Sequence, residues 1–406
     1  MPNLASELTR RARCRSRLAP TGLRLVACLC FPVVSIGCAR EQVVRVAAFN
    51  IWELRAAKLN VVDAFGRGTN SQLRNAAEII QIVRPDILFV MEIDYDDSSR
   101  QNAASFNRRY LNVAQRGKQP IDYPYQFFGP VNCGIPTAKD LDNDGKSDGP
   151  ADAFGYGNYP GEYGLALFSR FPIQTSRVRT FQHLLWKDMP GNLMPDGSNG
   201  KPAWYSPDEV AILRLSHKNH WDIPVTIDGR TLHVLCTHPT PQIYDGPEDW
   251  NGRRNFDEIR FWSDYIAGST SPTAAYIDDD AGRHGGLNDG EPFVLVGDLN
   301  AEPFKHPAPY GVAAPDQLLR NPRIRDPRPT SAGAAMGEIT GTPPFPERRT
   351  MDFGRIDYAL ACEQLQVAGA GVFWPDSSSQ YFRLVAGPDA SSDHRLVWID
   401  IVIMSH

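Results

Sequence analysis

The stretch that decides the fold is Phe293-Val294-Leu295-Val296-Gly297-Asp298-Leu299-Asn300, an apolar strand that ends in an aspartate and an asparagine two residues apart. Because side chains alternate across a strand, this pattern predicts that Asp298 and Asn300 leave the same face at its carboxyl end. A carboxylate beside an amide can orient a water molecule and hydrogen-bond a developing anion, as phosphoester hydrolysis requires. The same ending is commonplace in turns, where aspartate and asparagine cap backbone groups. The segment alone leaves both interpretations open.

Polar side chains also stand at the ends of the other predicted strands. Three of them follow an apolar strand and three precede one near the carboxyl end of the chain: Asn50, Glu92 and His238, then Asp357, Asp393 and His394. Together they supply hard oxygen ligands for a divalent cation, two imidazoles, and a carboxylate that can orient one imidazole. The sequence therefore contains the components of a hydrolytic metal site.

Taken in order, these motifs resemble those of the endonuclease/exonuclease/phosphatase superfamily, which has the pancreatic-deoxyribonuclease-like fold. The resemblance extends from about Val43 to Ile403 and is carried by seven motifs: Phe49–Trp52, Pro85–Glu92, Gly164–Arg170, Thr237-His238, Gly297–Ala301, Arg355–Tyr358 and Ser392–His394. Any one motif is permissive, but seven in this order are hard to obtain by chance. The resemblance implies an α+β fold over residues 43–403, a four-layer α/β/β/α sandwich of two mixed β-sheets covered by helices.

The resemblance also implies a metal site and a site for the attacking water. Asn50 and Glu92 form the core of a site for Mg²⁺ or Mn²⁺, with Glu92 a direct ligand, and Asp393 could join the metal shell. Asp298 orients or deprotonates the attacking water. Asn300 holds a phosphoryl oxygen.

Two histidines complete the set of implied catalytic residues. His394, oriented by Asp357, and His238 stabilise the pentacoordinate phosphate and assist the leaving group. The alternative for the histidines is a core position satisfied by backbone, and for Asp357 it is a salt bridge to Arg355. The histidines that match no motif are assigned to the surface or the core: His217, His220, His233 and His284.

The implied function is an exported, divalent-metal-dependent phosphoesterase that hydrolyses a phosphodiester by in-line attack of water. One alternative is a phospholipid or inositol-phosphate phosphohydrolase of the same fold. An aromatic rim would favour this lipid substrate, whereas an arginine-lined groove would favour nucleic acid; the candidates for the rim are Trp186, Trp204, Tyr205 and Trp221. A further alternative is a non-catalytic, calcium-binding surface lipoprotein, which is disfavoured because every catalytic position holds a competent residue. No obligate protein partner is indicated.

Residues 1–38 predict export. They contain six arginines and one glutamate, then an apolar run from Leu25 to Ile36 that ends at Gly37-Cys38. A basic segment followed by an apolar stretch too short to span a bilayer is typical of a secretory signal peptide. Ser35-Ile36-Gly37-Cys38 resembles a bacterial lipoprotein processing box, in which Cys38 is lipidated, although Ser35 stands where the pattern usually has leucine. We therefore expect a periplasmic, extracellular or lipid-anchored outer-surface protein.

Cysteine content and charge bear on two other classes of protein. Outside residues 1–38 the cysteines are Cys133, Cys236 and Cys362, too few and too dispersed for a disulfide framework. The formal net charge is −5, and it becomes more negative without the basic leader. This acidity weighs against a constitutive nucleic-acid binder. It does not exclude a nuclease, in which a metal ion and local arginines can serve the scissile phosphate.

Periodicity and turn residues locate the other elements. Apolar residues at helical spacing from Leu73 to Val83 predict a helix that ends before Pro85, and a second helix is predicted over 254–266. A hairpin is predicted over 223–236, with Asp228-Gly229 at its turn. Residues 183–209 and 267–291 are rich in Pro, Gly, Asn and Asp without periodicity, and are read as loop insertions.

A third insertion, at 134–153, is acidic and contains a candidate calcium loop. Residues 140–148 match the first nine positions of such a loop, with glycine at position six and aspartates at positions one, three, five and nine: Asp140, Asp142, Asp144 and Asp148. The twelfth position is Ala151, so the usual bidentate glutamate is missing unless Asp152 replaces it. We expect a structural Ca²⁺ here; the alternative is a solvated acidic turn.

Overall fold

Two six-stranded β-sheets form the centre of the structure. The computed structural model describes residues 41–96, 98–195, 197, 203–303, 311–336 and 343–404. The strands in this part of the chain are β1 Glu41–Leu54, β2 Ile87–Ile93, β3 Tyr125–Phe128, β4 Leu165–Ser169, β5 Arg179–Thr180, β6 Trp221–Ile227, β7 Arg230–Thr237, β8 Phe293–Asp298, β9 Ile324–Arg325, β10 Asp357–Cys362, β11 Gln366–Val372 and β12 Val397–Met404.

Each sheet contains one central parallel pair. The strand order is β11-β12-β1-β2-β4-β3 in the first sheet and β5-β6-β7-β8-β10-β9 in the second. The pairs β1–β2 and β7–β8 are parallel, and all other pairings are antiparallel. Because parallel strands run in the same direction, the carboxyl ends of each pair meet at one edge of their sheet. The two mixed sheets confirm the predicted fold class.

The central strands are apolar along their length because both of their faces are covered. Every residue of β8 and of β10 is buried, and β2 has a single half-buried position, Glu92. Between the sheets, the Trp221 ring meets Phe89 and Phe127 edge-on, at centroid distances of 6.5 and 4.9 Å. The result is the four-layer α/β/β/α sandwich, with one sheet packed on the other and helices outside.

The helices are mostly short: α1 Ala56–Leu59, α2 Ser71–Val83, α3 Asn102–Phe106, α4 Pro207–Val210, α5 Trp250–Tyr265, α6 Asp316–Leu319 and α7 Ala332–Met336. Asn70 caps α2 by accepting a hydrogen bond from the Leu73 amide at 3.1 Å, and Arg84 ends it in the left-handed region at φ 55°. The predicted helix before Pro85 is thus confirmed.

Helix α5 begins four residues before its predicted start. Its first turn has no apolar periodicity because the inward side chains there are polar: Asn251 and Arg253 are buried and donate to the Ile243 and Glu248 carbonyls. The predicted hairpin is confirmed as β6 and β7. Asp228 and Gly229 at its turn have φ values of 47° and 79°, which a two-residue turn of this twist requires.

The four aromatic residues named as candidates for a lipid-binding rim do not form an exposed rim. Trp186 and Trp221 are 0% exposed and Tyr205 is 3% exposed, so all three belong to the core. Trp204 is half-buried and donates its indole N–H to the Leu141 carbonyl at 2.9 Å. Trp221 lies in β6, and the rings pack inward because burial removes their large apolar surface from water.

Other sequence predictions have mixed outcomes. The three cysteines are buried and free, as expected for core residues: Cys133, Cys236 and Cys362. Of the unassigned histidines, His284 is exposed and the others are buried: His217, His220 and His233. The predicted signal peptide, with Cys38, lies outside the described residues. Within the described ranges, no helix has the length and apolar character needed to cross a bilayer.

Candidate active site

Asn50 and Glu92 meet across the parallel pair β1–β2. The Asn50 Nδ2 donates to Glu92 Oε1 at 3.1 Å, and the Glu53 amide donates to Glu92 Oε2 at 2.9 Å. The strand register shifts between Asn50 and Leu54, and Glu53 and Glu92 have φ values of 51° and 67°. Non-glycine residues with a left-handed backbone cluster at functional sites. Here the turned backbone presents the Glu53 amide to Glu92, so both oxygens of this carboxylate are held by hydrogen bonds.

Asp298 joins the two sheets at the centre of the site. It is the last residue of β8 and is 1% exposed. Its Oδ2 accepts a hydrogen bond from Asn50 Nδ2 at 3.1 Å and lies 3.4 Å from His238 Nε2 and 3.7 Å from His394 Nε2. A single carboxylate oxygen therefore contacts or faces groups from β1, from the loop after β7 and from the loop before β12.

Asp357 and His394 form a buried hydrogen-bonded pair. Asp357 opens β10 directly opposite Asp298 in the strand register, and His394 Nδ1 lies 2.9 Å from Asp357 Oδ2. Thr350 Oγ1 accepts a hydrogen bond from the Asp357 amide at 3.0 Å. Arg355 is paired with another carboxylate, Asp326, at 2.8 Å.

Ser392 links His394 to the first sheet. Its hydroxyl donates to the Asn50 carbonyl at 2.8 Å and accepts from the His394 amide at 3.2 Å. Asp393 is half-buried, and its Oδ1 lies 3.3 Å from the same hydroxyl oxygen. The carboxylate and imidazole atoms that converge within 4.8 Å belong to Asp298, Asp357 and His394 rather than to Asp393.

Asn300 reaches the site through a turn rather than through strand alternation. The strand ends at Asp298, Asn300 has a φ of 51°, and its amide donates to Asp298 Oδ1 at 2.8 Å. Its Nδ2 donates to the Pro239 carbonyl at 3.1 Å. The prediction that alternation places both side chains on one face is therefore wrong, because the capping interaction typical of turns operates beyond the strand end.

Neighbouring charges set the ionisation of the site. Burial acts to raise the pKa of Asp298, but His394 and His238 outweigh it and hold that pKa below its usual value. Burial and Lys218 lower the pKa of His238. In the buried pair, burial raises the pKa of Asp357 to about 6, while the Asp357 and Asp298 carboxylates overcome burial and raise that of His394. The pair thus keeps one proton at neutral pH, which we place on His394.

The sequence reasoning missed Lys218. This lysine is 4% exposed, and its Nζ lies 3.4 Å from the Pro239 carbonyl, which also accepts from Asn300. Within the described residues, no carboxylate lies at ion-pair distance from it. No motif contains this position, and only the packing of the loop before β6 against the loop after β7 brings its charge to His238.

The donors at the end of β1 and β2 fit a small divalent cation. Asn50 Oδ1 is buried and has no hydrogen-bond partner in the described part of the chain, a costly arrangement unless another electrophile uses the oxygen. Glu92 adds a carboxylate on the neighbouring strand. An amide oxygen beside a carboxylate is the donor type that Mg²⁺ and Mn²⁺ prefer. Asp298, Asp357 and His394 also converge, but their contacts to one another already use these atoms.

The acidic insertion brings three of the four predicted calcium ligands together. Carboxylate oxygens of Asp140, Asp142 and Asp144 lie within 4.8 Å of one another. Asp140 accepts hydrogen bonds from the Asp144 and Gly145 amides at 3.0 and 2.9 Å, and Gly145 turns the backbone at φ 88°. Asp148 is exposed and lies outside this group.

Comparison with known proteins gives one family and several distant structures. The sequence matches the model of the Endonuclease/Exonuclease/phosphatase family over residues 47–394. It is similar to an endonuclease/exonuclease/phosphatase from Beutenbergia cavernae, at 19% identity and a TM-score of 0.46, covering 89% of this chain and 72% of that one. It is also similar to the human Nocturnin catalytic domain with bound sulfate, at 15% identity and a TM-score of 0.44, covering 90% of this chain and 97% of that one. The similarity to truncated Caenorhabditis elegans TDP2 has 16% identity and a TM-score of 0.42, covering 89% of this chain and 98% of that one.

A search of curated proteins returned no match. The family match begins in β1 and ends at His394, so it includes every residue assigned to the site. The chain therefore belongs to the endonuclease/exonuclease/phosphatase family.

Proposed function

We propose that this protein is an exported, divalent-metal-dependent phosphoesterase that hydrolyses phosphodiesters by in-line attack of water. The observation that carries the proposal is the position of the Asp298 carboxylate. It is 1% exposed, accepts from Asn50 at 3.1 Å and faces two imidazoles at 3.4 and 3.7 Å. A buried carboxylate between two imidazoles and beside hard metal donors suits the activation of water next to a phosphorus atom.

Asp298 orients the attacking water in this proposal. Because its pKa is held below the usual value, Asp298 stays ionised at neutral pH and is a strong hydrogen-bond acceptor, but a weak base. Asn50 donates a hydrogen bond to Asp298 Oδ2 and so fixes the direction of this carboxylate. A Mg²⁺ or Mn²⁺ held by Asn50 and Glu92 supplies, when bound, positive charge that polarises the phosphoryl group.

The donors around Asp298 stabilise charge on the phosphate. Asn300 and the buried Lys218 ammonium both lie at the Pro239 carbonyl and can turn N–H groups to non-bridging oxygens. His394, kept protonated by Asp357, places a cation on the opposite side. His394 is fixed by Asp357 before substrate binds, which is the condition under which a hydrogen-bond donor contributes most to rate.

A phosphodiester of the nucleic-acid type is favoured over a lipid. The residues named for a lipid-binding rim are buried or half-buried. A cavity of about 320 Å³ is lined by four arginines and three carboxylates: Arg320, Arg328, Arg348 and Arg355 with Glu302, Asp316 and Asp326. Asp326 pairs with Arg355 at 2.8 Å, and Asp316 pairs with Arg320 at 2.7 Å. Arg355 stands two residues before Asp357 along the chain, so the cavity borders the loop that enters β10. Within the described residues, Arg328 and Arg348 form no ion pair with a carboxylate of this cavity, and these two arginines suit phosphate groups that flank the scissile one.

A metal-supplemented substrate screen tests the function. The purified protein is offered bis-p-nitrophenyl phosphate, p-nitrophenyl phosphate, plasmid DNA, sphingomyelin and inositol phosphates, each with Mg²⁺, Mn²⁺ or excess chelator. We expect metal-dependent cleavage of the diester and of DNA, with the Asp298→Asn variant as control. Undiminished turnover in chelator, or no turnover of any phosphoester with any metal, contradicts the proposal.

Export is the second part of the proposal, and residues 1–38 support it. Cell fractionation of the full chain, with and without these residues, tests export. Labelling with a radioactive fatty acid in the wild type and in Cys38→Ser tests the lipid anchor. Label retained in Cys38→Ser would assign the lipid to another residue.

A further inference from the structure

Helix α5 carries a buried asparagine that binds two catalytic loops at once. Asn255 is 0% exposed, and its Nδ2 donates to the Thr240 carbonyl at 2.6 Å and to the Leu299 carbonyl at 2.8 Å. Thr240 lies two residues after His238, and Leu299 directly follows Asp298. A primary amide has two protons, and both are used here. One side chain therefore joins the loop after β7 to the loop after β8.

The sheet itself does not hold these loops together. The last paired residues of β7 and β8 are Thr237 and Gly297, so His238 and Asp298 stand just beyond the ladder between these two strands, and Asp298 pairs only with Asp357 of β10. Past that point, parallel strands offer no further backbone hydrogen bonds between their connections. The separation of His238 and Asp298, 3.4 Å between Nε2 and Oδ2, must be kept by side chains that bridge the loops.

A second residue of α5 fixes the same loop from its other side. Glu258, one helical turn after Asn255, is 0% exposed and accepts from the Thr240 amide at 2.6 Å. The Thr240 backbone is thus held at its N–H by Glu258 and at its carbonyl by Asn255. The direct contact between the loops, from Asn300 Nδ2 to the Pro239 carbonyl, involves a residue that substrate must displace or share. Asn255 makes its contacts from behind the site, out of the way of substrate.

We propose that Asn255 is a positioning residue that sets the spacing of His238 and Asp298 through the two main-chain carbonyls. The inference rests on the proposed function, since spacing matters to rate only if both residues serve the hydrolytic step. Loss of either hydrogen bond frees one loop relative to the other. A displacement of about 1 Å between catalytic groups can lower a rate about a hundredfold.

The test compares Asn255 with an amide of the same kind elsewhere. Gln81 on α2 is 3% exposed, and its Nε2 also donates to two carbonyls, those of Leu111 and Val113, both at 2.8 Å. That loop contains no residue assigned to the site. Gln81→Ser is therefore the matched control for Asn255→Ser, and Asn255→Asp, which keeps the shape but lacks both donors, is a second variant.

We expect both Asn255 variants to lose about ten- to a hundredfold in kcat on the phosphodiester cleaved best by the wild type, with KM changed by less than about twofold. Gln81→Ser should lower the melting temperature comparably while keeping kcat. Imidazole nitrogen NMR without substrate adds a readout independent of turnover. The His238 resonances should move in the Asn255 variants and stay in Gln81→Ser.

Several outcomes would overturn the proposal. They are a kcat within about twofold of wild type in both Asn255 variants, an equal loss in Gln81→Ser, or unfolding of Asn255→Ser at the assay temperature, which would make Asn255 a general stability residue. If the wild type cleaves no phosphoester, the proposed function fails. The NMR comparison then still shows whether Asn255 sets the position of His238. Unchanged His238 resonances would then remove the positioning role as well.

Discussion

Asp298 and His394 owe their charges to each other. Burial alone disfavours the charged form of either group, yet the neighbouring charges reverse the effect and leave a carboxylate facing an imidazolium. Removal of either member takes away part of the compensation that keeps the other charged in a buried position. The site is therefore sensitive to single substitutions in a way that exposed ion pairs are not.

The first prediction concerns three residues with separate roles. Glu92→Ala, Asp298→Ala and His394→Ala should each lower metal-dependent phosphodiester hydrolysis by about a hundredfold or more, because each removes a different element of transition-state stabilisation. Steady-state kinetics measure the effect, and circular dichroism checks that each variant is folded. A wild-type rate in His394→Ala would show that this histidine takes no part in the reaction.

The second prediction concerns pH. The Asp357 carboxylate favours the imidazolium, so Asp357→Asn should lower the pKa of His394 and move the alkaline limb of the pH–rate profile to lower pH. Imidazole NMR of the metal-free protein measures that pKa directly. Asp326→Asn, which removes a carboxylate from the nearby Arg355 pair, is the control and should leave the His394 pKa in place.

The same pair should show strong coupling. If Asp357 acts through His394, Asp357→Asn should add little to the loss already caused by His394→Ala. Losses that simply add in free energy would mean that the two residues act independently.

At the scale of elements, the parallel pairs explain why the site forms at one edge. β1 and β2 deliver Asn50 and Glu92 there, and β7 and β8 deliver His238 and Asp298. The antiparallel neighbours β10 and β12 run the opposite way, so the residues at or just before their amino ends, Asp357 and His394, arrive at the same edge. The ends of six strands thus bring six residues together at this edge.

The acidic loop gives the third prediction, a calcium site that stabilises an element away from the reaction. Burial raises the pKa of Asp142, and the Asp144, Asp152 and Asp140 carboxylates add to this effect by repulsion. Bound Ca²⁺ would relieve that repulsion. Free calcium at about a hundred times its dissociation constant would stabilise the native state by roughly 2.7 kcal/mol by mass action.

Thermal melts with and without calcium measure this stabilisation. The wild type should melt at higher temperature in calcium, and a variant carrying Asp142→Ala and Asp144→Ala should not respond. Its hydrolytic rate at moderate temperature should stay near the wild-type value. Equal calcium shifts in both proteins, or none in either, would leave residues 140–148 as a solvated acidic turn.

For the whole molecule, stability depends on how the two sheets pack. Trp221 of the second sheet is 0% exposed and lies against Phe89 and Phe127 of the first. A ring of this size at the interface between sheets leaves a large cavity when it is truncated. Because Met91 Sδ also approaches the Asp298 amide at 3.1 Å, a shift between the sheets reaches the site directly.

The fourth prediction follows from this packing. Trp221→Ala should lower the free energy of unfolding by about 3–5 kcal/mol, as for other buried aromatic truncations. Urea unfolding followed by circular dichroism measures it. Trp398, which is half-buried on the outer face beneath Arg45, provides the control, and Trp398→Ala should cost less than half as much. Equal losses would mean that the interface between sheets tolerates the cavity.

The local elements and the family could be predicted from the sequence because their signals are local. Helical spacing before Pro85 predicted α2, and Asp228-Gly229 predicted the hairpin, since each depends on backbone preferences within a few residues. The order of the seven motifs indicated the fold. Each motif identifies a site residue at one end of its own strand, but the motifs do not indicate which atoms touch.

Only the tertiary structure decided the contacts. Asn50 and Asp298 are 248 residues apart along the chain, and no local preference predicts that their side chains meet at 3.1 Å. The same holds for Lys218 beside His238 and for Asn255 behind two loops, because a buried polar residue in a loop or helix has no distinguishing pattern. Burial also reversed the interpretation of Trp221. These features depend on which surfaces pack together, and that is a property of the whole chain.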